Sequence, residues 1–367
     1  MAIKKPKHIL VAPLDWGLGH TTRCVPLISH ILTLGHIPVF AGNDAQRSFI
    51  QEIFGPLDCI HLDGYNITYS GWNKLAHIGL LSQLPGIKKT IRSEHLWLQQ
   101  IAAGRVIHGI ISDNRYGLYH PRIPSVILTH QLQVRTGFGA LPDRAVREIH
   151  YSYLNRFTAT WVADTAGPDN LGCALSHAAR LPLHTTYLGL LSCFSPSGPA
   201  SPPDSPTAPL LVLLSGPEPQ RSHLSARLWQ QVLDHNGPVV FADGSLSAPR
   251  PATIPAHISY HSRVSGSQLH ALISEAGMVI CRSGYSTLMD LVALGKKAIL
   301  IPTPGQTEQQ YLARHLHQQG VFLSARQARF HLPKALAQAR QFPWHKPGLQ
   351  QCFTAHMPVL ENWINSL

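Results

Sequence analysis

The stretch Cys281–Ala313, CRSGYSTLMDLVALGKKAILIPTPGQTEQQYLA, decides the fold by its punctuation. The short apolar run Met278–Cys281 is stopped at Ser283-Gly284, and Tyr285–Leu294 then carries apolar residues at helical spacing. A second short run, Ala298–Pro302, leads through a proline-glycine loop into a helical stretch over Gln306–Gln319. Strand, glycine joint, helix, strand, helix is the repeat of a parallel α/β sheet. Such a joint also has a chemical use. A helix N-terminus exposes unpaired N–H groups and about half a positive charge, which together hold a phosphate. Gly284 lets the backbone come close to a ligand, Thr287 lies in the first turn, and Asp290 further along is placed to reach ribose hydroxyls. Thr307-Glu308-Gln309-Gln310 after the next strand offer polar groups suited to sugar hydroxyls. The same spacing also suits a joint that is purely architectural.

The rhythm extends in both directions. Upstream lie a strand over Leu210–Leu214, a loop over Ser215–Arg221, a helical stretch to His235, strands Pro238–Ala242 and His257–Ser262, and a helix Ser267–Ala276. Near the start, His8–Leu14 reads as a strand, Thr21–Leu34 as a helix and Ile37–Ala41 as a strand, and Asn43 caps a helix through Phe54. Gly109–Ser112 and Ser125–Thr129 read as further buried strands. Ser195–Pro209, SPSGPASPPDSPTAP, has no apolar period and reads as a proline-stiffened linker. The expected organisation is therefore an α/β protein of two Rossmann-like domains: an N-terminal domain over 1–194, the linker 195–209, a C-terminal domain over 210–345, and a helix over Gly348–Leu367 within 346–367 that returns toward the N-terminal domain.

Composition narrows the function. The 367 residues carry Lys+Arg 30 against Asp+Glu 19, a surplus that favours anionic partners. No Lys/Arg run with interleaved aromatics supports nucleic-acid binding. The six cysteines form no Cys-x-x-Cys pair and read as reduced thiols of a cytoplasmic protein. Among 23 histidines there is no His-Glu-x-x-His, so no metal site is expected. The apolar run after Lys4, Lys5 and Lys7 is too short for a leader and is interrupted by Asp15, and no run of 18 apolar residues spans a membrane. Gly71–Arg105 mixes Trp72, Ile78, Leu80, Leu81, Leu84, Ile87, Leu96 and Trp97 with Lys74, Lys88, Lys89 and Arg92; this suits either an interfacial segment or an ordinary amphipathic helix.

Cys281–Ala313 resembles the donor-binding signature of MurG, the peptidoglycan N-acetylglucosaminyltransferase, and its relatives: C-R-S-G-A-x-T-x-x-E, then a proline loop ending in Q-Q-x-x-A. The resemblance implies the two-domain GT-B fold, with two parallel sheets facing an interdomain cleft. It further implies inverting transfer of a sugar, an N-acetylhexosamine or hexose, from a UDP-sugar without a metal or other cofactor. The acceptor would be a hydroxyl of a lipid-linked or cell-envelope molecule, met by a cytoplasmic protein at the inner membrane face. By position Ser283 and Gly284 match the diphosphate turn, Asp290 stands where the family has a ribose-binding Glu, and Gln309 and Gln310 match the sugar-reading glutamines. Ser215 and Gly216 occupy the place of a second phosphate loop, Arg221 beside them is a bidentate diphosphate partner, and Arg263 lies where relatives hold the base.

In the N-terminal domain Asp15-Trp16-Gly17-Leu18-Gly19-His20-Thr21-Thr22-Arg23-Cys24 resembles the Gly-rich, His-ended loop of the same family. It is closer still to the G-x-G-H-x-x-R-C of UDP-sugar hydrolases in pseudaminic acid synthesis. His20 is the leading general base, since imidazole titrates near working pH; the alternative is a helix cap. Asp113 follows a strand and is either the base or the group that orients His20. His130, in the place of the family's His-Glu-Gln-Asn motif but without its acidic residue, joins Asp15 and Gly19 as a residue facing the acceptor. Nucleotide-sugar hydrolysis and non-catalytic binding of a nucleotide sugar or nucleic acid are the rival functions.

Overall fold

The computed structural model describes residues 5–65, 84–136, 138–194, 208–245, 250–264, 266–346 and 348–367. They form two compact units, Met1–Cys193 with Gln351–Leu367, and Phe194–Gln350.

The first unit runs β1 (His8–Pro13), α1 (Gly19–Thr33), β2 (Ile37–Gly42), α2 (Asp44–Phe54), β3 (Asp58–His61), α3 (Leu84–Gly104), β4 (Gly109–Asp113), β5 (Ser125–Thr129), α4 (Ala140–Leu154), β6 (Ala159–Val162) and β7 (Thr185–Tyr187). Its strands are all parallel, in the order β3-β2-β1-β4-β5-β6-β7. Ile9, Leu10, Val11, Ile110, Ile111, Ile127 and Leu128 have no exposed surface, as expected of strands covered on both faces by helices. Local signals set the helix ends. Asn43 accepts from the Gln46 N–H at 3.0 Å while Gln46 Oε1 accepts from the Asn43 N–H at 3.1 Å, a reciprocal cap for α2. Gly35, at φ 76°, closes α1 as His36 N–H donates to Ile31 C=O at 3.1 Å.

The second unit runs β8 (Leu210–Leu213), α5 (Gln220–Val232), β9 (Val239–Ala242), β10 (Ile258–His261), α6 (Gly266–Glu275), β11 (Met278–Cys281), α7 (Tyr285–Ala293), β12 (Ala298–Leu300), α8 (Thr307–Gln318), β13 (Leu323–Ser324) and α9 (Leu332–Gln341). Its six parallel strands are ordered β10-β9-β8-β11-β12-β13. In both sheets the chain works outward from its first strand and then crosses back beyond it. The strand order therefore reverses between β1 and β4 in one unit and between β8 and β11 in the other. A crevice at such a reversal, outside the carboxyl ends of the strands, is where open α/β sheets bind ligands.

The chain returns to the first unit in α10 (His356–Ser366). The single helix expected over Gly348–Leu367 is instead a 3-10 turn, Gln350–Thr354, followed by α10. Pro358 explains the break: it has no N–H for the Thr354 carbonyl, and its ring clashes with that carbonyl in a continuous helix, whereas the first turn of a new helix tolerates it. Within the first unit α10 buries Leu360 and Ile364, sets Trp363 edge-on to Trp161 at 5.3 Å, and accepts from Lys7 Nζ at the Ile364 carbonyl at 2.6 Å. Gly109 opens β4 because a Cβ there would lie 2.7 Å from both Trp363 and Leu367.

Residues 195–207 of the expected linker and residues 71–83 of the basic-apolar segment lie outside the described residues. The rest of that segment is α3, an amphipathic helix of the fold: Ile91, Glu94 and Leu98 are buried, and Lys88, Lys89 and Arg92 are exposed. No described helix is long and apolar enough to cross a membrane.

Leu360→Ala should destabilise the first unit by about 2–5 kcal/mol, the usual cost of emptying a buried leucine site. Chemical denaturation should show that loss while the unfolding of the second unit stays where it is; an unchanged first transition would mean that α10 is dispensable.

Candidate functional site

At the carboxyl edge of the first sheet, the turn from β1 into α1 is shaped by Gly17, whose φ of 77° belongs to the left-handed region. Gly19 is the first residue of α1 and His20 the second, so His20 leaves the helix within its first turn. Arg23 follows one turn later on the same face. Asp113, the last residue of the neighbouring β4, faces both.

The contacts are close. His20 Nδ1 lies 3.1 and 3.2 Å from the two Asp113 oxygens. Arg23 Nε donates to Asp113 Oδ2 at 2.7 Å and Arg23 Nη2 to Asp113 Oδ1, a fork-on-carboxylate pair. Arg23 Nη1 is 2.8 Å from His130 Nδ1, and Nη2 is 2.9 Å from His20 Nδ1. Asp113 and Arg23 are buried, and only His20 keeps an exposed part, 14% of its side chain. Burial by itself would raise the Asp113 carboxyl, but the Arg23 guanidinium and the His20 ring outweigh it and hold the group well below the usual carboxylate range. Burial, followed by the opposed influences of Asp113 and Arg23, sets the His20 ring below its ordinary value. A permanently ionised Asp113 whose oxygens are already occupied is no proton acceptor near neutral pH. It is placed to orient the His20 ring through Nδ1.

Two acceptor-side expectations change. Asp15 turns inward, with Oδ1 accepting from Tyr65 N–H at 3.0 Å and lying 4.0 Å from Arg115. His130, buried behind Arg23, props that guanidinium. A second buried network, which sequence reasoning missed, braces the same edge: Arg115 donates to Glu94 at 3.0 Å and to the carbonyls of Pro13 and Asp63 at 2.8 Å, and Tyr65 Oη donates to Glu94 at 2.9 Å. Arg115's partners come from β1, α3 and the loop at Asp63, so nothing local in the sequence signals them.

In the second unit the loop after β8 exposes Ser215 and Gly216, the latter at φ 106°, a conformation that suits glycine. Beside it across the strand reversal, β11 enters α7 through Ser283 and Gly284. Gly284 is the N-cap residue of α7, and no side chain caps that helix. Its φ of −70° suits any residue, and a Cβ there would meet only Thr287 Oγ1 at 3.9 Å, so neither the backbone nor the neighbours demand a glycine. The space beside it is open. Thr287 is partly exposed and Asp290 is buried one turn further on. Arg282 is buried and bonds the Gln220 carbonyl, the Ile301 carbonyl and Gln327 Oε1 at 2.8, 3.1 and 2.7 Å, which ties β11 to the start of α5 and the end of β12. Burial brings its guanidinium down to about 10.

Other donor-side expectations are corrected by burial and pairing. Arg221 points inward, 3.0 Å from the Asp243 carbonyl and 3.1 Å from its carboxylate, and also bonds Glu218, so its fork is spent within the protein. Gln309 also serves the loop: its Oε1 accepts from Thr303 N–H at 2.9 Å, its Nε2 donates to Gln306, and its carbonyl accepts from Ser283 Oγ at 2.9 Å. Gln310 and Arg263 are exposed, and Glu308 is half-buried in the first turn of α8, which likewise lacks a side-chain cap. Among the described residues no group of three or more His, Cys, Asp or Glu side chains converges as a metal site.

Comparison with known proteins bears on the fold. Residues 262–344 match the glycosyltransferase family 28 C-terminal domain. A stretch of 106 residues is 36% identical to the UDP-N-acetylglucosamine--N-acetylmuramyl-(pentapeptide) pyrophosphoryl-undecaprenol N-acetylglucosamine transferase of Desulforudis audaxviator, covering 27% of this chain and 26% of that relative. The match thus spans about a quarter of the relative's length. Over the whole fold, the glycosyltransferase of kitacinnamycin superposes with a TM-score of 0.67 at 14% identity, covering 99% of this chain and 100% of its own. MurG of Acinetobacter baumannii gives 0.52 at 15% identity, again over 99% and 100%. The chain has the GT-B fold of these glycosyltransferases.

Arg23→Leu should cost about 3–5 kcal/mol at neutral pH, because it leaves the Asp113 carboxylate buried without its cation. The deficit should narrow as pH falls toward 4: the uncompensated carboxyl takes up a proton there, while the wild-type group, held lower by Arg23, stays ionised. Equilibrium unfolding across that pH range measures both; a variant as stable as wild type would remove Arg23 from this role.

Proposed function

We propose that the protein is an inverting, metal-independent glycosyltransferase that moves a hexose or N-acetylhexosamine from UDP to a hydroxyl of a lipid-linked or cell-envelope acceptor. The observation that carries the reading is the uncapped α7 N-terminus at Ser283-Gly284, open beside the strand reversal and inside the segment that matches the glycosyltransferase family 28 domain. The donor diphosphate lies against the N–H groups there and at Ser215-Gly216. Each helix terminus contributes about 0.3–2 kcal/mol, so several must act together. With Arg221 spent on Asp243, the exposed Arg263 is the cation assigned to the donor. Asp290, one turn into α7, takes the ribose, and the exposed Gln310 with Glu308 takes sugar hydroxyls.

On the first unit, His20 Nε2 takes the acceptor proton as the oxygen attacks the anomeric carbon, and the nucleoside diphosphate leaves from the opposite face. Asp113 stabilises the imidazolium that forms, and Arg23 keeps Asp113 ionised meanwhile. The resemblance to the peptidoglycan transferase supports the lipid-linked acceptor and a place at the inner face of the cytoplasmic membrane.

Gly284→Val should weaken UDP binding by tenfold or more, about 1.4 kcal/mol, while the chain stays folded, because the first added carbon meets only Thr287 Oγ1 at 3.9 Å. Calorimetric UDP affinity equal to wild type would remove the diphosphate from that joint.

His20→Ala should lower kcat by about 10²–10⁴-fold, the range of a general base, with UDP affinity intact. The acid limb of wild-type kcat/KM should lie below pH 6.5, since the base form is lost only as pH falls through a pKa lowered from that value. Retained turnover in the variant would make His20 a structural residue. Sugar released to water at the same rate with and without an acceptor would favour the hydrolase.

A further inference from the structure

The turn that carries His20 is held from behind by a second set of buried charges. Arg115, two residues after Asp113 and without exposed surface, donates through Nε to the carbonyl of Pro13, the last residue of β1, at 2.8 Å. Its Nη1 donates to the Asp63 carbonyl at 2.8 Å and to Glu94 Oε1 at 3.0 Å, and its Nη2, which makes no hydrogen bond, lies 4.0 Å from Asp15 Oδ1. Glu94, 2% exposed on α3, accepts at its other oxygen from Tyr65 Oη at 2.9 Å and from Gly117 N–H at 3.0 Å. Tyr65 closes the circuit, since its own N–H donates to Asp15 Oδ1 at 3.0 Å. Two glycines make room for these carboxylates. A Cβ on Gly64 would overlap the Asp15 carboxylate, and one on Gly117 would overlap the Ile91 carbonyl and lie 2.5 Å from Glu94 Cβ.

Stability is a poor account of such a network. A buried, hydrogen-bonded ion pair roughly breaks even against apolar residues of the same volume, and what it adds is one fixed arrangement of its donors and acceptors. Here that arrangement ends on the His20 turn. Pro13 enters the turn and is held by Arg115, and Asp15 lies within it and is held by Tyr65. On the other side Gln46 Nε2 donates to the Leu14 carbonyl at 3.1 Å and to Thr21 Oγ1 at 3.0 Å, so both ends of the turn are clamped. We propose that Arg115, with Glu94 as its counterion, is a positioning residue for the transfer step: it fixes the turn from Pro13 to Leu18 and so the direction from which His20 meets the acceptor hydroxyl. The assignment rests on His20 being the base. Arg115 itself touches neither the donor loops nor the ring of His20; it acts through the backbone it holds.

The test compares the full chain with Glu94→Gln, Arg115→Lys and Tyr65→Phe. Three quantities are read: UDP released from UDP-N-acetylglucosamine, UDP affinity, and the titration of the His20 ring by NMR, assigned through His20→Ala. Glu94→Gln sets an amide N–H₂ against groups that only donate, and Arg115→Lys keeps the charge but loses the fork. Each should lower turnover by about ten- to a hundredfold, the scale of a small misplacement of a reacting group, with UDP affinity unchanged. The His20 midpoint should rise toward 6.5, because a ring freed from its place regains solvent. Asp113, Arg23 and His130, the charged and titratable groups around the ring, are all retained. Loss of the Glu94 charge alone would move the midpoint down, so a rise reports displacement. If either variant fails to fold, Tyr65→Phe carries the test, since it removes one hydrogen bond and keeps the ring packed beside Leu14 and Ile91; its loss should be smaller and its midpoint should move the same way. Folded variants with wild-type turnover and midpoint would overturn the assignment. So would a loss of turnover that follows the folded fraction while the midpoint stays, which would make the network structural only. Full turnover in His20→Ala would instead overturn the reading of His20 as base, so the two failures are distinct.

Discussion

A carboxylate without exposed surface must be paired, and the first unit is arranged around that demand at Asp113. The group ends β4, and its partners come from α1, where Arg23 and His20 are spaced to reach both oxygens. Arg23 in turn needs its remaining nitrogens satisfied, and His130 at the end of β5 supplies one acceptor. The ends of β1, β4 and β5 are thus registered to one another by a single ionised cluster. Leaving it half-paired costs several kcal/mol, more than any one exposed contact returns. The same pairing holds Asp113 ionised and leaves His20 partly exposed.

The second unit solves the corresponding problem in the opposite way. Its long cations at the sheet edge, Arg221 and Arg282, are turned into the protein and spent on Asp243 and on backbone carbonyls. The Ser215-Gly216 loop is exposed, and α7 begins at Gly284 without a side-chain cap. Fixed N–H dipoles suit a diphosphate that must be held and then released, since they need no reorganisation as charge grows on the leaving oxygen. Buried arginines serve that surface indirectly by holding the strands and helix starts at their spacing.

The strand–joint–helix repeat was legible because each signal is local. Apolar runs of four or five residues, Asn43 with Gln46, and the glycine joints each act within a few residues of themselves. The same locality explains what was not legible. β7 (Thr185–Tyr187) has too few apolar residues to stand out, and α4 mixes exposed Leu141 and Ile149 with buried His150 and Tyr151, so its period is blurred. At the candidate site, Asp113 is legible from its place at a strand end, where the carboxyl edge of a parallel sheet gathers such residues, and His20 from the glycine loop whose motif it ends. The fates of Arg221 and Gln309 were not legible. A guanidinium beside a glycine loop reads as a phosphate ligand until Asp243, 22 residues on, is seen to claim it. Arg23 drew no assignment of its own for the same reason: its meaning depends on Asp113, 90 residues away.

A base alone does not separate transfer to a hydroxyl from transfer to water, since His20 Nε2 would accept a proton from either. The distinction must come from what holds the acceptor, because a bound hydroxyl gains an effective concentration that loose water lacks only if its orientation is fixed. The donor joint has no such role, being common to both reactions. On the first unit, the features that can supply orientation are those that leave charge or apolar surface uncommitted at the carboxyl edge. Asp15, His130 and Arg115 do not qualify, since each is committed to holding a neighbouring group. Selection between a hydroxyl and water is thus a property of whatever holds the acceptor, whichever group takes the proton.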